Sequence, residues 1–176
     1  RQLRSNRQEF SLLIPYVRFR QDSLREQPLL VDTNAIIDGR IPRICGTGFL
    51  DGTLVVPRFV LDELHKLADS KDDVRKDRGK RGLEALAQMQ QSPSLDVSIH
   101  EDLMPAEKMV DSKLIALARM LGAKLLTNDV NLGKVAQVQN VTVLNLNELA
   151  QAMRPVVVPG DELRLQLVKE GKDPHQ

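Results

Sequence analysis

Leu29-Leu30-Val31-Asp32-Thr33-Asn34 is the stretch on which the reading of this chain turns. An apolar run of three residues suits a short buried strand, and the change to Asp-Thr-Asn marks a strand end that opens a helix. Ile36, Ile37 and Ile41 follow at helix-like spacing, so the unit reads strand, then helix.

Downstream the unit recurs. Thr53-Leu54-Val55-Val56 leads through Pro57, which suits a strand-to-helix entry, into a helical face of Val60, Leu64, Leu67 and Ala68. A long charged helix is expected from about Val74 to Gln91, a strand over Leu95-Asp96-Val97-Ser98-Ile99, and a helix carrying Val110, Leu114, Leu117 and Leu121. Lys124 to Thr127 supplies a fourth strand, Val135 and Val138 mark a short helix, and Val141-Thr142-Val143-Leu144 makes a fifth strand before a helix starting near Asn147. Strands alternating with helices imply a parallel sheet covered on both faces, hence a three-layer α/β/α sandwich with five parallel strands.

Composition bounds what such a fold can do. The 176 residues suit one ordinary domain with a segment left over, and 41% hydrophobic with 28% charged residues excludes a chain disordered throughout. A net charge of +1 leaves any attraction to a polyanion to local patches, and 3% aromatic residues argue against a surface built on base stacking. The single cysteine, Cys45, excludes an intramolecular disulfide and a cysteine metal cluster, and its apolar neighbours place it in the core. The longest apolar run, Phe10 to Val17, is broken by Pro15 and falls short of the ~18 residues of a membrane helix.

Ligands of an open parallel sheet bind at the carboxyl ends of its strands. Four acids stand there: Asp32 after the first strand, Glu63 in the first turns after the second, Asp111 at the head of the helix after the third, and Asp129 after the fourth. Glu63 shares a helical face with Val60, Leu64 and Leu67, whereas Asp62, His65, Lys66 and Asp69 share another, so Glu63 faces inward. Unit charges ~4 Å apart repel by ~4 kcal/mol at a protein surface, so converging carboxylates need protons or a cation. An all-oxygen set favours Mg²⁺ or Mn²⁺, as one or two ions, over zinc. A pair of such ions would serve phosphodiester hydrolysis.

Each acid also has an ordinary explanation. Asp32, Asp111 and Asp129 stand where N-caps and first-turn acids are common, but a carboxylate on the apolar stripe of Glu63 has no capping role. Lys71 to Arg81 mixes Lys71, Arg75, Lys76, Arg78, Lys80 and Arg81 with Asp72, Asp73 and Asp77, the pattern of a solvated helix face; Arg75, Lys76, Arg78, Lys80 and Arg81 are also candidates for phosphate contacts. Gly46-Thr47-Gly48 reads as a turn, and His65 and His100 as surface or structural residues.

Val31-Asp32-Thr33-Asn34, Pro57 through Glu63-Leu64, Asp111 heading Lys113-Leu114-Ile115-Ala116-Leu117-Ala118, and Leu126-Thr127-Asn128-Asp129 resemble the four signature blocks of the PIN domain. Ile36-Ile37-Asp38-Gly39-Arg40-Ile41, Gly48-Phe49-Leu50-Asp51-Gly52 and Arg78-Gly79-Lys80-Arg81-Gly82-Leu83 are similar to the bacterial PIN/TRAM, YacL-like proteins. The resemblance implies a Mg²⁺- or Mn²⁺-dependent endoribonuclease that hydrolyses single-stranded RNA to 5′-phosphate and 3′-hydroxyl ends. Asp32, Glu63, Asp111 and Asp129 would be both catalytic residues and metal ligands, with Thr33, Asn34, Thr127 and Asn128 as hydrogen-bonding neighbours. It also implies an organisation: residues 1–27 as a linker after membrane segments, 28–153 as the PIN domain, and 154–176, with Leu163, Leu165 and Leu167 alternating as in a strand, as a linker and the start of an RNA-binding TRAM-like domain. The full-length protein would then sit on the cytoplasmic face of a bacterial membrane, and a homo-oligomer is open to it.

Two other classes compete. A phosphoacceptor, receiver-like module also places aspartates at strand ends, but it needs a lysine after its last strand, where this chain has Asn145-Leu146-Asn147; the aspartyl-nucleophile phosphatases need a second aspartate where Asn34 stands. A non-catalytic RNA-binding or assembly module would use the acids only to hold a structural ion.

Overall fold

Residues 27–101, 109–156, 159, 160 and 162 are described by a computed structural model of the chain. β1 (Leu29–Val31) lies at the centre of a five-stranded sheet, with β2 (Gly52–Pro57) and β3 (Leu95–His100) on one side and β4 (Lys124–Leu126) and β5 (Val143–Leu144) on the other. Every pairing is parallel, the order is β3-β2-β1-β4-β5, and Leu30 is in register with Val55 and with Leu125. The expected architecture holds.

Connectivity reverses between β1 and β4. The chain steps outward from β1 to β2 and β3, then crosses back to β4 and steps the other way to β5. Right-handed crossovers put the helices of the first two steps on one face and those of the last two on the other. Accordingly α1 (Thr33–Asp38), α2 (Ile41–Cys45), α3 (Arg58–Ala68) and α4 (Asp73–Gln90) pack against one another, whereas α5 (Val110–Leu121) lies on β4 and α6 (Val130–Val138) on β5. α7 (Leu146–Ala152) closes the described fold. Leu30, Val31, Leu54, Val56, Leu125 and Leu126 are fully buried, as expected for strands covered on both faces.

Several boundaries shift by a residue at either end, and three of the differences have a clear local cause. The helix through Ile36 and Ile41 is two helices, because Gly39 adopts φ +80° and ends α1 before α2 begins. The fifth strand starts at Val143 rather than Val141: Asn140 takes φ +60° and the Val141 amide donates to the Ala136 carbonyl, so both residues finish the end of α6. The fourth strand stops at Leu126, one residue short of Thr127.

Cys45 is buried, as expected, and Gly46 to Gly48 form a turn with Gly48 at φ +80°. Among the described residues no helix is long and apolar enough to cross a membrane. The strand-like alternation at Leu163, Leu165 and Leu167 and the basic stretch before Pro28 lie outside the described residues.

Candidate functional site

Asp32 leaves β1 at the point where the sheet reverses, and its amide donates to the Leu126 carbonyl at the end of β4. That is where an open α/β sheet offers a crevice. Asp32 also occupies the N-cap position of α1, yet its carboxylate makes no capping hydrogen bond. It accepts from the Thr127 hydroxyl instead, at 3.0 Å, and is 6% exposed. Burial pushes its pKa up to about 6; the Thr127 hydroxyl and the Thr33 backbone amide oppose that rise, and the charges of Glu63 and Asp111 add to it.

Glu63 comes to the same place from α3. The apolar face of that helix is turned to the core through Val60 and Leu64, which leaves Asp62 exposed and Glu63 half-buried. The Thr33 hydroxyl donates to Glu63 Oε2 at 2.6 Å. Each of these two carboxylates is thus met by a threonine hydroxyl, and both threonines are buried.

Asp111 and Asp129 are placed differently. Asp111 lies in the first turn of α5, exposed, where it borders the groove between α5 and α6 and acts on Asp32 through its charge. Asp129 is the N-cap of α6: its Oδ1 accepts from the Asn131 and Leu132 amides at 2.8 and 3.1 Å. Capping, the ordinary explanation, therefore accounts for Asp129 as it stands. Among the described residues no three histidine, cysteine, aspartate or glutamate side chains are grouped closely enough to hold a metal ion.

Two of the expected neighbours turn elsewhere. The Asn128 amide donates to Asp38 Oδ2 at 3.1 Å, and its Oδ1 accepts from the Leu146 amide, so it ties the end of β4 to α1 and α7. Asn34 points outward and accepts from Arg78 Nη2 of α4 at 3.0 Å. Sequence reasoning missed the partner of Asn128. Asp38 and Arg40 form a two-pronged ion pair, with Arg40 Nη2 also donating to Asn147 Oδ1 at 2.6 Å. That pairing holds the Asp38 carboxyl below the usual carboxylate range, through the Arg40 hydrogen bond above all. Its sequence signal was an acid and a base flanking a glycine.

The chemistry of the donor set fits a hard dication, because a buried carboxylate already burdened by two neighbouring negative charges gains most from a cation. In the placement seen, Asp32 and Glu63 are the two presented groups. Asp111 and Asp129 head α5 and α6, and Asp129 is engaged as a cap.

A reversing parallel sheet with acids at its carboxyl edge defines a class, and the sequence profile of the PIN domain matches residues 29–138. The chain belongs to the PIN domain family, whose members are generally metal-dependent nucleases. More narrowly, it is 48% identical over 147 residues to the PIN and TRAM-domain containing protein YacL of Bacillus subtilis, covering 84% of this chain and 40% of that protein. It is 47% identical over 149 residues to a PIN and TRAM-domain containing protein of Synechocystis, covering 85% of this chain and 42% of that one. The chain thus spans about two fifths of the length of these curated relatives. A domain of a functionally unknown protein from Methanocaldococcus jannaschii shares the fold, with a TM-score of 0.57 at 22% identity over 80% of this chain and 99% of that one.

Proposed function

We propose that this chain is a Mg²⁺- or Mn²⁺-dependent endoribonuclease that cleaves single-stranded RNA at the carboxyl edge of its sheet. The observation that carries the reading is the Asp32 carboxylate, buried, hydrogen-bonded to Thr127 and beside the charges of Glu63 and Asp111. RNA as the substrate draws support from the relatives, whose names pair PIN with TRAM.

Asp32 and Glu63 would be the principal ligands, with Asp111 and Asp129 completing the set from α5 and α6. A dication bound there would lower the pKa of a water and offset charge on the scissile phosphate. The chain's own residues do the positioning. Thr33 and Thr127 fix one oxygen each of Glu63 and Asp32, which sets the orientation of the two carboxylates. The Asp129 amide donates to Thr127 Oγ1 at 3.0 Å, which leaves that hydroxyl's own proton for Asp32. Asn128, through Asp38, keeps the β4 end against α1 and so holds Thr127 near Asp32.

One observation favours a second reading. Asp129 is engaged as a cap, and a chain that never recruits it would bind RNA around a structural ion without cutting. Cleavage of a labelled unstructured RNA with Mn²⁺ separates the two. The nuclease reading expects strand scission by the parent that stops on chelation and falls by about 100-fold or more in Asp32→Asn, the scale on which positioned catalytic groups act. No scission by the parent, or equal scission by both, contradicts it.

A further inference from the structure

α4 carries a run of charges that looks evenly mixed in sequence and is sorted by the fold. Residues spaced by three and four along it, Arg75, Arg78, Gly79, Gly82, Leu86 and Met89, form one stripe. From Gly79 onward that stripe is buried. A Cβ on Gly79 would lie 2.1 Å from the Ala68 backbone nitrogen, and one on Gly82 would lie 2.5 Å from a methyl of Leu64 and 3.1 Å from Ile37. The two glycines therefore bring α4 against α3 and α1 and fix its rotation about its own axis.

Arg75 and Arg78 continue the stripe toward the start of the helix, but both are exposed. The opposite face carries Asp73, Asp77, Lys80, Arg81 and Glu84, where acids and bases stand three or four residues apart and offset one another. Of the five basic residues in this stretch, Lys80 and Arg81 point to that balanced outer face, Lys76 lies on the flank, and only Arg75 and Arg78 fall on the inner stripe.

The inner stripe reaches past the sheet. Arg78 is abreast of Asn34 and Gly82 of Ile37, so α4 runs parallel to α1. α4 begins at Asp73, five residues before Arg78, whereas α1 begins one residue before Asn34. At 1.5 Å per residue, α4 overhangs the start of α1, and with it the carboxyl edge bearing Asp32, by about 6 Å. Arg78 is held there by the neutral amide oxygen of Asn34, and among the described residues neither Arg75 nor Arg78 has a carboxylate partner. A guanidinium steered by a neutral acceptor keeps its full charge and its remaining N–H donors for a planar two-point contact with phosphate.

We infer that Arg78, aimed by Asn34, grips a backbone phosphate of the RNA strand lying at the acid pocket, and that Arg75 continues the phosphate track along the overhanging turn of α4. This deepens the nuclease reading and rests on it for the polymer bound. A guanidinium beside Asn34, two residues from Asp32, would offset part of the repulsion between an anionic strand and the acids of this edge, so the strand is held through its phosphates.

The test is fluorescence anisotropy of a labelled oligouridylate on the full chain, in chelator so that no cleavage occurs, at a series of salt concentrations. Arg78→Gln is expected to weaken binding about tenfold and to flatten the plot of log affinity against log salt by about 0.7, the loss of one phosphate contact on a single strand. Arg78→Lys should retain the parent's slope, and Lys134→Gln on α6 should match the parent throughout. Equal losses in Arg78→Gln and Lys80→Gln, an unchanged slope in Arg78→Gln, or no binding by the parent overturn the inference. A parent that binds with the expected slopes but leaves RNA uncut in Mn²⁺ sinks the nuclease reading and leaves the phosphate grip standing.

Discussion

Asp32 is the residue on which the account concentrates. Burial raises its carboxyl to about 6 from an ordinary 3.8, so the folded state binds its proton more tightly than the unfolded state does. Stability is therefore fully present below pH 3.8 and is lost as pH rises toward 6, by an amount on the order of 3 kcal/mol if the whole shift is expressed. In chelator at neutral pH, Asp32→Asn should consequently be more stable than the parent by ~1–3 kcal/mol, and its urea midpoint should vary less between pH 4 and 6. A less stable variant with the parent's pH profile would show that the carboxylate is not strained. Asp38 behaves oppositely: its carboxyl is lowered by Arg40, so its contribution is present above pH 3.8 and fades as acid takes the pH through the folded value. Asp38→Asn should lower neutral stability, read by the same urea series. Asp32 and Glu63 were legible in sequence because a strand end and a helical stripe fix where they face. The Asp38–Arg40 pair was not, since it depends on a left-handed turn at Gly39. Nor was the engagement of Asp129 as the cap of α6, because an acid after a strand suits capping and ligation equally.

α4 shows what an element can hide. Glycine inside a helix reads as a loss of ~1 kcal/mol against alanine, and nothing in the sequence says what Gly79 and Gly82 gain in exchange. The gain is backbone contact with α3 that no side chain allows. Gly79→Ala should therefore destabilise despite its better helix propensity, by about 2 kcal/mol or more, because the new methyl meets backbone rather than a movable side chain. Gly82→Ala meets the Leu64 side chain and should cost less. Thermal melts of the two variants give the order; a Gly79→Ala protein as stable as the parent contradicts the packing described. The periodic helices α3, α4 and α5 were read within a residue or two, since a long apolar stripe outweighs any single local choice. The short elements were not, because α1 and α2 end, and β5 begins, where one residue takes a positive φ or one amide finds a helix carbonyl.

Across the whole molecule, β1 and β4 put residues 95 positions apart in the chain, Asp32 and Thr127, into hydrogen-bonding contact. The order of five parallel strands follows from alternation and crossover handedness, so the pocket's address could be read from sequence. The placement of Asp111 and Asp129 relative to Asp32 could not, because each heads a helix where the local backbone sets its partners. Binding only to the native state must raise stability. The most direct measurement is a Mn²⁺ titration of the chain by electron paramagnetic resonance, on the parent, Asp32→Asn, Glu63→Gln and Lys134→Gln. The account predicts saturable binding by the parent and by Lys134→Gln that is weakened at least tenfold in each acid variant. Equal Mn²⁺ affinity in the parent and Asp32→Asn would contradict it.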